Sequence, residues 1–184
     1  DEVKFGIDLN GDGDTGLVKI EDNGDVHLKH GDNTYNGAPQ YYIVDGSNDP
    51  IGLTKGGWAT NSNPSNGWSV TQVEESGDGY QVFWSGPDGK YSVWSTDASG
   101  SIQSQVTAPL WQHEITFEAD LNGDGDIGLK LTTIETNGDY QLATGIGQYH
   151  IINGNGDRTV LTKGGSPTNS NPSNGWSVTQ VEES

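Results

Sequence analysis

Two segments carry oxygen-bearing side chains at alternating positions. They read Asp8-Leu-Asn10-Gly-Asp12-Gly-Asp14-Thr-Gly16 and Asp120-Leu-Asn122-Gly-Asp124-Gly-Asp126-Ile-Gly128. A hard cation such as Ca2+ takes about six to eight oxygen ligands, each replacing part of its lost hydration. An EF-hand-type loop begins with side-chain oxygens at its first, third and fifth positions, a glycine at the sixth for a sharp turn, and a further oxygen at the seventh. Both segments fit that start. Asp8, Asn10, Asp12 and Asp14, and Asp120, Asn122, Asp124 and Asp126, are the expected calcium ligands. The alternative is a solvated acidic turn, and recurrence in the same frame argues against it. The closing bidentate Glu of an EF-hand is missing, since Lys19 and Leu131 occupy that position. The remaining ligand then comes from Glu21, Glu135, the Glu74-Glu75 pair or water.

The loops belong to an internal repeat, a feature that organises a chain before any finer reading. Leu53–Ser76 and Leu161–Ser184 are identical except at positions 58 and 59 of the first copy, at an offset of 108. The acidic loops are offset by 112, so the intervening loops differ in length. The expected organisation is a first repeat over 1–116 and a second, truncated repeat over 117–184. A chain that starts at a loop and stops inside a repeat reads as a window on a longer array, or as one completed at its end by something else. The absence of Met points the same way, to a processed protein or a piece of a longer one.

The elements that must position the loops read as short strands. Trp68 to Val73, Tyr80 to Trp84, Tyr91 to Trp94 and Ile102 to Val106 form a meander with turns rich in Gly, Asp and Pro. In period-two register Tyr80, Val82 and Trp84 share one face, as do Tyr91 and Val93. Leu17 to Glu21 turns through Asn23-Gly24 into Val26 to His30, and Leu129 to Glu135 turns through Asn137-Gly138 into Tyr140 to Ala143. Asn-Gly is a strong hairpin signal. Tyr41 to Val44 and Tyr149 to Ile152 are further strands. Thr107 as a cap, Pro109, and Leu110, Trp111, Ile115 and Phe117 predict one short helix leading into the second loop. The expected fold class is all-β, mostly antiparallel meanders and hairpins, sandwich- or blade-like, with that one helix.

Composition narrows the partners. The formal charge is −18, from 26 acids and 8 bases. That repels nucleic acid phosphates and anionic bilayers. No apolar stretch is long enough to span a membrane. There is no Cys, which excludes disulfides and thiolate metal sites. Apolar residues make up 30% of the chain, so its 6 Trp and 7 Tyr must supply much of the core. His27, His30, His113 and His150 do not group as a zinc site. No nucleophile–base arrangement stands out, and no enzyme activity is expected.

The run from Gly67 to Ile102, a short helix and then Asp120-Leu-Asn-Gly-Asp-Gly-Asp-Ile-Gly128 resembles the tryptophan-rich C-terminal domain of cyanobacterial and bacterial secreted proteins associated with type I secretion and calcium binding. The resemblance covers Gly67 to Leu129 well and the flanking copies less fully. It implies an extracellular, calcium-associated β module.

Two functions follow as expectations. The first is a secreted or cell-surface structural and adhesive repeat, stiffened by Ca2+, that assembles head-to-tail with other copies as a filament or surface layer. A strand over Trp176 to Val181, left unpaired, would be the joining edge. The second is a carbohydrate-binding module of a secreted enzyme, taking polysaccharide on tryptophan. Trp68, Trp84, Trp94 and Trp176 could stack on sugars or simply build the core. Trp58 is the better ligand candidate, because its counterpart Ser166 shows that the fold does not need it.

Overall fold

The structure is a computed structural model that describes residues 16–35, 38–47, 49–61, 66–170, 173 and 175–182. The first acidic loop, with Asp8, Asn10, Asp12 and Asp14, lies outside the described residues. The chain divides into two compact units, through Asn122 and from Gly123 onward.

In the first unit, β1 (Leu17–Glu21), β2 (His27–Tyr35), β3 (Ala38–Val44) and β4 (Pro50–Gly52) form an antiparallel sheet in that order. A small hairpin of β5 (Thr54–Lys55) and β6 (Trp58–Ala59) follows. The expected meander is present as β7 (Ser69–Ser76), β8 (Gly79–Ser85), β9 (Tyr91–Thr96) and β10 (Ile102–Val106), each antiparallel to the next. Val26, Leu28, Tyr41, Ile43 and Leu53 pack with Val70, Val73, Tyr80 and Val82 in one core between the two sheets. Phe83 and Val93 face the other way and pack with Phe117 in a second core. The middle strands of the second sheet are thus covered on both faces. This is why Tyr80 and Val82 share one side and Phe83 takes the other.

Val70 and Val73 are three residues apart, so a regular strand would send them to opposite faces. The register shifts between Val70 and Gln72, and this bulge turns both inward. A similar shift between Lys19 and Glu21 lets Ile20 and Glu21 both point toward the core side.

The predicted helix is α1 (Leu110–Thr116). Its start differs from expectation. Pro109 occupies the cap position and no side chain caps the helix, so Thr107 does not serve as one. Within the helix His113 and Glu114 are buried while Ile115 is 48% exposed. The ring of Tyr91 stands edge-on to His113 and stacks on Phe83, so aromatic contacts close this layer.

In the second unit, β11 (Thr132–Glu135), β12 (Gln141–Gly145), β13 (Gln148–Ile152) and β14 (Arg158–Val160) repeat the first sheet, and β15 (Thr162–Lys163) with β16 (Ser166–Pro167) repeats the small hairpin. The repetition extends to single bonds. Tyr41 N–H donates to the Thr60 carbonyl and Leu53 N–H to the Tyr41 carbonyl; Tyr149 N–H donates to Thr168 and Leu161 N–H to Tyr149. The Tyr41 hydroxyl accepts the Val70 amide at 3.1 Å, and the Tyr149 hydroxyl accepts the Val178 amide at 3.1 Å.

One segment breaks the symmetry. Residues 69–76 form β7 against β8, yet 177–182, the sequence twins of 69–74, take no regular structure. The expected strand over Trp176 to Val181 is therefore not formed. A strand needs a ladder partner to satisfy its amides, and no described residue of the second unit offers one there.

Because the Val70 amide is buried, Tyr41→Phe leaves it without an acceptor. We expect a loss of about 1–3 kcal/mol in urea unfolding, with the slope unchanged. Tyr149→Phe, whose bond is only partly buried, should cost less.

Candidate functional site

The second acidic loop is a run of bends from Leu121 to Gly128. Gly125, at the sixth position, has φ 90°, a left-handed conformation that suits the sharp turn there. The unit boundary falls after Asn122, so Asp120 and Asn122 belong to the first unit and Asp124 and Asp126 to the second. In the second unit the Asp126 amide donates to Asp124 Oδ1 at 3.0 Å. Lys130 Nζ donates to the Asp124 carbonyl at 2.5 Å and pairs with Asp126 Oδ2 at 3.2 Å. Both side chains of that pair are about half exposed, so it contributes little to stability. Among the described residues, no three His, Asp or Glu side chains converge as a metal cluster. The donor chemistry of the loop still suits a hard cation, being carboxylate, amide and carbonyl oxygen throughout.

A second acidic feature was weakly marked in the sequence and is sharper in the structure. Glu21 ends β1 and is buried at 7% exposure, re-aimed by the bulge before it. Its Oε1 accepts the Asn23 amide, while Oε2 is buried with no hydrogen-bond partner among the described residues. Burial is the main cause that raises its pKa, opposed by backbone amides and by the charge of His27. Glu74 of β7 lies over the hairpin turn, where a Cβ on Gly24 would come within 3.0 Å of its Oε1. The left-handed φ of 73° and this close approach both call for glycine at 24. The Glu74 carboxyl is pushed up to about 7, first by burial and then by the charges of Glu21, Glu118, Asp25 and Glu75. No Lys or Arg side chain pairs with Glu21 or Glu74 among the described residues.

The second copy rebuilds this arrangement. Glu135 ends β11 after the same kind of register shift, its Oε1 accepts the Asn137 amide, and its Oε2 is buried without a partner among the described residues. Glu182 approaches Gly138, where a Cβ would lie 3.2 Å from its Oε2. Of the sequence's options for a further ligand, the structure thus brings Glu21 and Glu74 to one hairpin turn, and Glu135 to its equivalent.

The tryptophans divide. Trp84 and Trp94 pack against the first core and, with Trp68, line an open cleft of about 310 Å³. Trp58 lies at the tip of the small hairpin, 72% exposed, and is not part of that lining. Trp176, the twin of Trp68, is 78% exposed. The histidines are dispersed, and burial lowers the pKa of His113.

The strand order, the tryptophans at the ends of β8 and β9, the helix and the acidic loop all lie within one matched segment. Residues 33–128 match the model of the tryptophan-rich Synechocystis species C-terminal domain, more than half of the 184 residues. The chain belongs to this family. No curated protein and no solved structure matches it. The region of this tryptophan-rich domain contains the whole second sheet, the cleft and the second acidic loop. Glu21 and the first loop lie before it.

The raised pKa of Glu74 has a defined sign. A carboxyl whose folded pKa lies near 7, above its ordinary 4.5, contributes fully below pH 4.5 and loses that contribution as pH rises through 7. The buried His113 slopes the other way, so the difference between two proteins is the readout. Without divalent cations, Glu74→Gln should match wild type at pH 4.5 and become more stable by on the order of 1 kcal/mol at pH 8, given partial solvent screening. Urea unfolding across this range measures it; a pH-independent difference would refute the coupling.

Proposed function

We propose that this chain is a calcium-binding structural and adhesive repeat of a secreted or cell-surface protein, working by binding and assembly rather than by catalysis. The observation that carries this reading is a glutamate at each hairpin turn, the buried Glu21 and the half-buried Glu135, one oxygen of which is sealed from solvent with no hydrogen-bond partner among the described residues. A buried charge without a partner is costly. It is relieved by protonation or by a cation, and these glutamates follow acidic loops that have the donor chemistry for Ca2+. In the first copy the ion would draw on Asp8, Asn10, Asp12 and Asp14 with Glu21. In the second it would draw on the oxygens of Asp124 and Asp126 with Glu135. Loops without a bidentate closing Glu suit weak sites, of the kind with dissociation constants of about 10⁻⁴–10⁻³ M that extracellular modules use.

Assembly is the second part of the proposal. The segment 177–182 has the sequence of β7 and, in Tyr149, the same anchoring hydroxyl. A strand like β8 from a second copy would supply the ladder that the segment lacks.

Calcium at about 100 times its dissociation constant should stabilise the chain by about 2.7 kcal/mol per site, raising the melting midpoint by several degrees over the same sample in EDTA. Magnesium should do much less. Glu21→Gln should diminish the calcium shift, and size-exclusion chromatography should show calcium-promoted association. An unchanged midpoint in EDTA would overturn the calcium reading, and a strict monomer at all calcium concentrations would overturn assembly.

A further inference from the structure

The tryptophan-lined cleft of the first unit has features that core packing does not require. Trp68 sits on the backbone of Gly86, where a Cβ would lie 2.8 Å from three atoms of its indole ring. Trp94 is covered from one side by Lys55, whose Nζ stands 4.1 Å from the ring centroid. Lys55 has no carboxylate partner among the described residues, although acids outnumber bases 26 to 8 in this chain. Two polar atoms of the lining residues are buried without a hydrogen-bond partner among the described residues: Thr60 Oγ1, on a residue 9% exposed, and Trp84 Nε1. Leaving such groups unsatisfied is costly, and a shift of the side chains that seal them would let a ligand oxygen satisfy each.

The same lining recurs. In the second unit Tyr149, Lys163, Thr168, Asn169 and Trp176 border a hollow. Lys163, Thr168 and Trp176 are the repeat counterparts of Lys55, Thr60 and Trp68. Among the described residues the second hollow has no counterparts of Trp84 and Trp94, which come from β8 and β9.

We propose that the cleft bounded by Lys55, Thr60, Trp68, Trp84 and Trp94 binds one pyranose ring of a neutral oligosaccharide. Apolar C–H faces of the ring stack on Trp94 and Trp68. Its hydroxyl oxygens accept from Lys55 Nζ and, once the side chains that seal them give way, from Trp84 Nε1 and Thr60 Oγ1. No carboxylate lines the cleft among the described residues, and the net charge of −18 disfavours an acidic polysaccharide. The volume of about 310 Å³ is at the small end for a ligand pocket, suiting a single ring of a longer chain. Calcium plays no part in this site, so the proposal is independent of the function proposed above.

The test uses the full chain with ¹⁵N-labelled tryptophan. A panel of cello-, xylo-, malto- and chito-oligosaccharides, with oligogalacturonate as the acidic comparison, is titrated while the indole N–H signals are followed. One of the neutral sugars should shift the signals of Trp68, Trp84 and Trp94 and leave Trp58 unmoved. Trp94→Ala should weaken binding about tenfold or more, and Lys55→Ala about threefold. Trp84→Phe, which keeps a ring but removes the donor, guards against mere unfolding and should also weaken binding. Trp58→Ala should not change it. The proposal is overturned if no neutral sugar moves these three signals, if only Trp58 or Trp176 responds, or if oligogalacturonate binds in their place.

Discussion

A carboxylate taken out of water must gain hydrogen bonds, an opposite charge or a proton, and Glu21 is held where only part of this is supplied. The bulge in β1 sends its side chain inward beside Ile20 rather than out to solvent. One oxygen takes the Asn23 amide and the other is buried with no hydrogen-bond partner of normal geometry among the described residues. Glu74 arrives from the second sheet over the same turn, so joining the two sheets through the apolar core also brings two acids together. The repulsion is tolerable because burial and the neighbouring charges raise the Glu74 pKa, and it would vanish with a divalent cation. The register shift before Glu135 and the approach of Glu182 to Gly138 repeat the geometry of this turn in the second copy.

The shared segment that is β7 in one copy and irregular in the other isolates what local sequence does not decide. Residues 69–74 and 177–182 have the same side chains and the same tyrosine anchor. They differ in their neighbours. β8 gives the first a ladder and covers Val70 and Val73, and the turn after β8 places Gly86 under Trp68. With no such neighbour, Trp176 stands 78% exposed. Strand formation here is a tertiary event, which fits the weight that packing carries over intrinsic β preference.

Much of the fold was legible in the chain. Asn23-Gly24 and Asn137-Gly138 marked their hairpins, and period-two patterning placed Tyr80, Val82 and Trp84 on one face. The bulges were not legible, since a single inserted residue leaves no compositional mark. They decide that Val70 and Val73 both face inward and that Glu21 is buried. The helix was found, but the burial of His113, which lies against the ring of Tyr91, left no mark in the sequence. For the site, the acidic loops and the glutamates near them could be named from spacing. Trp58 drew attention because one copy lacks it, yet it stands at an exposed hairpin tip. The cleft residues come from separate strands and loops and meet only after folding. The usable signal was the pairing of Lys and Trp within both copies of the repeat.

The central claim is that the repeat's buried acids are there to be neutralised by calcium. Calorimetric titration of the metal-stripped chain with calcium measures this most directly. The account predicts two bound ions per chain, one per copy, with binding weakened at one site by Glu21→Gln and at the other by Glu135→Gln. A titration with no binding heat at any temperature, or with a stoichiometry that neither substitution changes, would contradict it.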